Sequence, residues 1–360
     1  MLFDKSAVDV AELCDAECRR VLKLAGFCDE PTAITKLTNG GCAANYAVTF
    51  SDGARVVLKA CVGPTAEDLG AEQLRVLRSI AEAGGARAAP APAYGPGQEP
   101  RTVACAAADG AVACAIVMEL LPGVAMNVAL RGGGDAPAAF RALGGALARV
   151  HAVPPPAGLY EVATPGYVER YVRCAAPLEA AAEAWREFDG KAFVPWALQH
   201  VGAARAALVD AGLPRGLCHG DPYADNVLLD GDEATLVDWE DCCVGPFVFD
   251  LACAAVGGCL RGAVLDENLL EALLASYARD RAFSAAEAMQ LAPLMRANAV
   301  TTAVYRWHAF HVTAPDAPPA AKQAHVEMVD AADALGGATG AVVARIALAA
   351  AAASLAARGP

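Results

Sequence analysis

Two rhythms of apolar and polar residues run along the chain, and they change over near residue 121. Before that point most apolar runs are short and alternate with a period of two, as in half-buried strands. Residues 34–37, 45–50 and 55–60 read as three antiparallel strands, with Ser51-Asp52-Gly53 as a hairpin turn. Two further strands are predicted near 101–107 and 111–119. Two stretches in this half have helical spacing instead. One is 7–26, on Val8, Leu13, Cys14, Cys18, Val21, Leu22 and Leu24. The other is 66–84, on Leu69, Leu74, Leu77 and Ile80, ended by Gly84-Gly85. After Leu121-Pro122-Gly123 the helical period dominates: 136–152, 192–213 and most of the chain from 248 onward, with an Ala/Pro linker at 313–320. A strand-loop-strand segment at 216–238 interrupts it. The predicted organisation is an N-terminal helical segment (1–27), a β-rich lobe (28–120) and a helical lobe (121–360).

Composition narrows the class. Hydrophobic residues are 56% of the 360 residues but aromatics only 6%, so much of the core is packed from small residues. Lys and Arg total 28 against 41 Asp and Glu, a net charge of −13. Such a chain, without a basic run, is a poor partner for nucleic acid or an anionic membrane. The start of the chain carries Asp4, Asp9 and Glu12 where a signal peptide needs an apolar stretch. Thirteen cysteines without a CxxC pair read as buried, reduced thiols, and the expected location is the cytoplasm. The Ala-rich C-terminal stretch has only twelve uncharged residues between Arg345 and Arg358, short of the ~20 that span a bilayer. A docked helix is expected there.

The chemistry gathers at Cys218-His219-Gly220-Asp221-Pro222-Tyr223-Ala224-Asp225-Asn226 and Leu236-Val237-Asp238-Trp239-Glu240. A hairpin turning at Asp230-Gly231 would bring Asn226 and Asp238 together, with Asp221 at the mouth of the loop. One amide and one carboxylate oxygen suit Mg²⁺, which keeps its waters and binds substrate phosphates. A separate carboxylate, Asp221, suits a base for an attacking hydroxyl. Phosphoryl transfer asks for little more than positioning and charge neutralisation. In the upstream lobe the Gly40-Gly41 turn can lie over phosphates without a Cβ clash. Lys59 can supply a point charge, and Glu72 can pair with Lys59 to hold it. His219 is expected to brace the loop, His151 to be structural or to cap its helix, and Cys218 to be packing. Arg306, beside Tyr305 and Trp307, could hold a substrate carboxylate or be packing and solvated surface.

The run HGDPYADN…LVDWE resembles the catalytic signature of the aminoglycoside phosphotransferase and choline kinase superfamily. The resemblance covers about 28–310. It implies an α+β, two-lobe protein-kinase-like fold, with a small antiparallel β lobe and a large mainly helical lobe. It implies an ATP- and Mg²⁺-dependent transfer of the γ-phosphoryl group to the hydroxyl of a small molecule. By it Asp221 is the catalytic base, Asn226 and Asp238 are metal ligands, and Lys59 is the phosphate lysine paired with Glu72. Met118, Glu119 and Leu121 are similar to the interlobe hinge that bonds adenine, and Asp250 to a structural Asp holding the catalytic-loop backbone. NYAVTFSDGARVVLKA and DPYADNVL resemble homoserine kinases of this fold, so homoserine is the favoured acceptor. Choline, ethanolamine or an aminoglycoside remain alternatives, as does a nucleotide-binding pseudokinase. A monomer or homodimer is expected.

Overall fold

Alternation along the second and third strands decides which side of the first sheet meets the site. In the computed structural model, which describes residues 12–37, 43–62, 66–83, 88–162, 181, 185, 192–208 and 212–358, Ala44, Tyr46, Val48 and Phe50 are buried on one face. Val56, Leu58 and Ala60 of the next strand join them there. Asn45, Val57 and Lys59 point to the opposite face, over an interlobe cavity. The sheet contains β1 (Pro31–Leu37), β2 (Ala43–Phe50), β3 (Arg55–Val62), β4 (Val103–Ala106) and β5 (Val112–Glu119). Its order is β1-β2-β3-β5-β4, antiparallel throughout. The helix α1 (Asp15–Leu24) buries Cys18, Val21 and Leu22 in the same apolar cluster as the outer face. The described part of the N-terminal segment therefore shares the core of this sheet. The Tyr46 hydroxyl accepts from the Leu13 N–H at 2.7 Å and ties the segment down. The helix α2 (Ala66–Glu82) lies across the inner face, buried through Leu74, Val76, Leu77 and Ile80.

Beyond the hinge the chain is mainly helical. A two-residue strand, β6 (Val124–Ala125), precedes α3 (Met126–Arg131) and α4 (Ala136–Val150). Asp135 caps α4, its side chain accepting from the Ala138 N–H at 2.9 Å. After α5 (Phe193–Leu208) come β7 (Arg215–Cys218), β8 (Val227–Asp230), β9 (Glu233–Leu236) and β10 (Cys243–Pro246). β8 pairs with β9 and β6, and β7 with β10. The remaining helices are α6 (Val248–Gly258), α7 (Glu267–Asp280), α8 (Ala285–His308), α9 (Pro319–Lys322), α10 (Val326–Leu335) and α11 (Ala338–Arg358).

The structure departs from the sequence expectations in several places. The first helix, in its described part, begins at Asp15, and residues 1–11 lie outside the description. A small hairpin, β11 (Leu260–Arg261) with β12 (Val264–Leu265), breaks the expected run of helices after 248. The 313–320 linker is entered through a π-helical turn at Ala309–Thr313 and ends in α9. Among the described residues one helix, α11, is long and apolar enough by composition to cross a membrane. It packs along α7 and α8, burying Val343, Ile346, Ala347 and Ala351. The Ser354 hydroxyl, at its end, donates to Ala278 O and accepts from Phe283 N, each at 3.1 Å.

Candidate active site

The turn after β7 cannot be built from ordinary residues. Gly220 has φ 88°, and a Cβ there would stand 2.0 Å from the carbonyl oxygen of Asp241. Asp250, fully buried near the start of α6, grips the same turn. Its carboxylate accepts from the backbone N–H of His219 at 2.7 Å and of Gly220 at 2.9 Å. His151 Nε2 lies 3.1 Å from it and must be the donor, since a carboxylate only accepts. The Tyr277 hydroxyl then donates to His151 Nδ1 at 2.8 Å. His151 is thus the C-cap residue of α4, its backbone N–H meeting Leu147 O and Arg149 O, while its ring braces the loop through Asp250. His219 is a second brace: Nδ1 accepts from Asp221 N at 3.3 Å, and Nε2 donates to Val237 O at 2.9 Å. Burial lowers the pKa of both histidines, against the pull of Asp250, so the fold favours the neutral rings.

Past the turn, Asn226 closes the short helical turn Ala224–Asn226. Its Nδ2 donates to Asp221 Oδ2 at 2.8 Å and to Asp221 O at 2.9 Å. That leaves Oδ1 on the other side of the amide plane. The β8–β9 hairpin returns the chain to Asn226, where Val237 N donates to Asn226 O at 2.9 Å. Asp238 follows with φ 67°, the one non-glycine residue in the left-handed region among those described. This turn carries its carboxylate away from the strand line and onto Lys59.

Lys59 is 2% exposed and binds Asp238, with Glu240 3.7 Å away and Gln73 Oε1 accepting at 2.9 Å. Burial alone would pull its pKa down. The two carboxylates outweigh that cost and raise it, so the ammonium stays charged. Among the described residues, the α2 side chain that hydrogen-bonds the ammonium is Gln73, one position on from the expected Glu72. Gln73 and Glu240 were missed in the sequence. Only Glu240 carried a signal, as the last residue of Asp-Trp-Glu.

These groups border a cavity of 320 Å³ between the lobes, lined by Lys59, Gln73, Asn226 and Asp238 on its polar side. Val57, Leu77, Met118, Leu121 and Leu228 supply apolar walls. The Glu119 N–H donates to Ala91 O at 2.8 Å, which removes that donor from the hinge groups expected to meet adenine. Asp221 sits behind Asn226, outside the lining of this cavity. The Gly40-Gly41 turn lies outside the described residues. Arg306 is buried, with Nη1 on Ala324 O at 3.0 Å and 3.5 Å from Glu327, so it works as a packing residue here. Cys218 is fully buried, its Sγ near Gly245 O at 3.5 Å and its pKa pushed up by burial, as an inert thiol requires. His151, Cys218 and Asp250 lie close enough to share a metal ion, but the bonds above already engage all three.

A metal fits the remaining donors. Asn226 Oδ1 and the Asp238 carboxylate, together on the pocket wall, are one neutral and one anionic oxygen ligand, the chemistry Mg²⁺ prefers.

Homoserine kinase of Neisseria meningitidis is 38% identical over 102 residues, covering 28% of this chain and 33% of that protein. Homoserine kinase of Pseudomonas aeruginosa is 39% identical over 98 residues, covering 26% of this chain and 31% of that protein. The chain thus matches about a third of the length of these relatives. An amicoumacin kinase solved with AMP-PNP and Ca²⁺ superposes with a TM-score of 0.63 at 14% identity, over 89% of this chain and 94% of that one. A choline/ethanolamine kinase family protein from Mesorhizobium loti gives 0.56 at 17%, over 93% and 99%. These two likenesses establish a kinase-like fold. The phosphotransferase enzyme family model matches residues 34–288, a span that runs from β1 to the start of α8 and takes in Lys59, Asp221, Asn226, Asp238 and Asp250. The chain is a member of the phosphotransferase enzyme family.

Proposed function

We propose that the protein is an ATP-dependent kinase of a small hydroxylated amine or amino acid, with homoserine the favoured acceptor. The observation that carries the reading is the meeting of Lys59 and Asp238 across the interlobe cavity, next to an Asn226 that also holds Asp221. Lys59 would contact nucleotide phosphates, held in place by Gln73. The apolar walls around Met118 and Leu121 suit a purine. Asn226 and Asp238 would hold Mg²⁺, which when bound neutralises phosphate charge. Asp221 orients the acceptor hydroxyl and takes its proton as that oxygen attacks the γ-phosphorus and the bond to ADP breaks. Asn226, donating to Asp221 Oδ2, fixes the direction of the carboxylate. The partial matches to homoserine kinases support the acceptor. The free thiol state of every described cysteine is consistent with a cytoplasmic setting.

The test is a phosphorylation screen of homoserine, choline, ethanolamine, methylthioribose and an aminoglycoside with ATP and Mg²⁺. Homoserine should be the best acceptor. Asp221→Asn should lose about 10²- to 10⁴-fold in kcat with nucleotide affinity nearly unchanged. Turnover retained in Asp221→Asn would sink the mechanism, and a different best acceptor would replace homoserine.

A further inference from the structure

A second site lies on the C-lobe, built from α4, α7 and the β8–β9 turn, with a volume of 350 Å³. Three arginines line it, Arg141, Arg149 and Arg279. This is an unusual concentration on a chain of net charge −13. Arg141 and Arg149 project from one face of α4, eight residues apart, with Gly145 between them. The absent side chain at Gly145 leaves the groove open: a Cβ there would stand 3.4 Å from Asp280 Oδ2 and 3.6 Å from Arg149 Nη1.

Each arginine has donors to give. Arg141 makes no hydrogen bond or ion pair among the described residues. Arg149 spends Nη2 on Ala234 O at 2.8 Å, while its buried Nε has no partner. A buried donor without a partner is costly, and the Nη1 of the same guanidinium stands beside Gly145 in the groove. Arg279 is held in a fork by Asp280, at 2.8 and 2.9 Å, which orients the guanidinium. Its Nη2 reaches Ser276 Oγ at 3.5 Å. Guanidinium groups disposed in this way match the oxygens of a phosphate. Besides the Asp280 carboxylate already paired with Arg279, one carboxylate lines the groove, that of Asp232 in the β8–β9 turn. It would repel a bare anion and attract an ammonium group.

We propose that this groove binds a small zwitterionic phosphomonoester, the phosphate lying among Arg141, Arg149 and Arg279 and an ammonium meeting Asp232. The site is separate from the interlobe cavity, with which it shares no lining residue. The proposal stands whether or not the interlobe site has the activity given above.

Calorimetric titration of the full chain with O-phosphoethanolamine and with inorganic phosphate, at constant ionic strength, tests it. O-phosphoethanolamine should bind saturably and more tightly than phosphate. Arg141→Ala should weaken it at least about tenfold, the loss of a charge-assisted contact. Ala142→Glu, which places a carboxylate in the groove, should abolish it. Asp232→Asn should erase the preference over phosphate. Lys59→Met should leave all of this intact. Circular dichroism spectra matching the wild type certify that the variants fold. Equal affinity for the two probes, no saturation, or loss of binding in Lys59→Met alone would each overturn the proposal.

Discussion

Glu72 and Gln73 are neighbours on α2, both buried, and Gln73 hydrogen-bonds Lys59. One residue turns a helix by about 100°, and the sequence does not reveal the phase at which α2 docks on the sheet. Lys59, Asp221, Asn226, Asp238 and Asp250 were legible because each stands in a motif whose spacing is set by strands and tight turns. Gln73→Ala should therefore impair nucleotide use more than Glu72→Ala, read as the rise in KM for ATP in the two variants. Asp250 is a stricter case. Its charge accepts two backbone donors and His151, and an amide in its place would turn an NH₂ toward at least one of them. Asp250→Asn should cost on the order of 3 kcal/mol, as breaking a buried charged network does, measured by urea unfolding. An unchanged midpoint would mean that the loop is held elsewhere.

Among the elements, those with a long, clear period were predicted closely and the short ones were not. β5 and α4 are eight and fifteen residues long, enough for a pattern. β6, β11 and β12 have two residues each, and no periodicity can be read from two positions. They exist because tertiary packing brings partners to them. The start of α8 is a different kind of signal. Ser284 and Glu287 form a reciprocal capping box, and Arg281 pairs with the same Glu287 at 2.8 Å. This helix carries Asn298 and Thr302, which hold the Tyr223 hydroxyl of the catalytic loop at 2.8 and 3.1 Å. Ser284→Ala should destabilise the protein by about 1 kcal/mol, and Ser284→Asp should recover most of it. Thermal melts of both variants decide this.

At the scale of the whole molecule, the buried histidines couple stability to pH. His151 and His219 sit below the ordinary value of 6.5, first because they are buried. The unfolded chain binds their protons more readily than the native one, so stability is kept above pH 6.5 and lost as pH falls below it. The slope is up to about 1.4 kcal/mol per pH unit for each histidine. Unfolding free energies measured between pH 7.5 and 5.5 should fall accordingly, and less steeply in His219→Gln. A parallel slope in that variant would remove His219 from the account. The two-lobe plan itself was legible from the change of rhythm near residue 121. The sharing of one apolar cluster by α1 and the sheet was not, because a helix pattern says which face is apolar and not what covers it.

Lys59 belongs to β3 and Asp238 to the segment after β9, so theirs is one of the contacts that join the two lobes. A cation at Asp238 and an anion at Lys59 would each have to loosen that contact, and either one, once bound, spares the other the cost. Under the proposed function, nucleotide phosphates and a divalent ion would therefore be thermodynamically linked, each raising the affinity of the other by one and the same factor. The carboxylate of Asp238 would make them cooperative ligands without any movement of the distant helices.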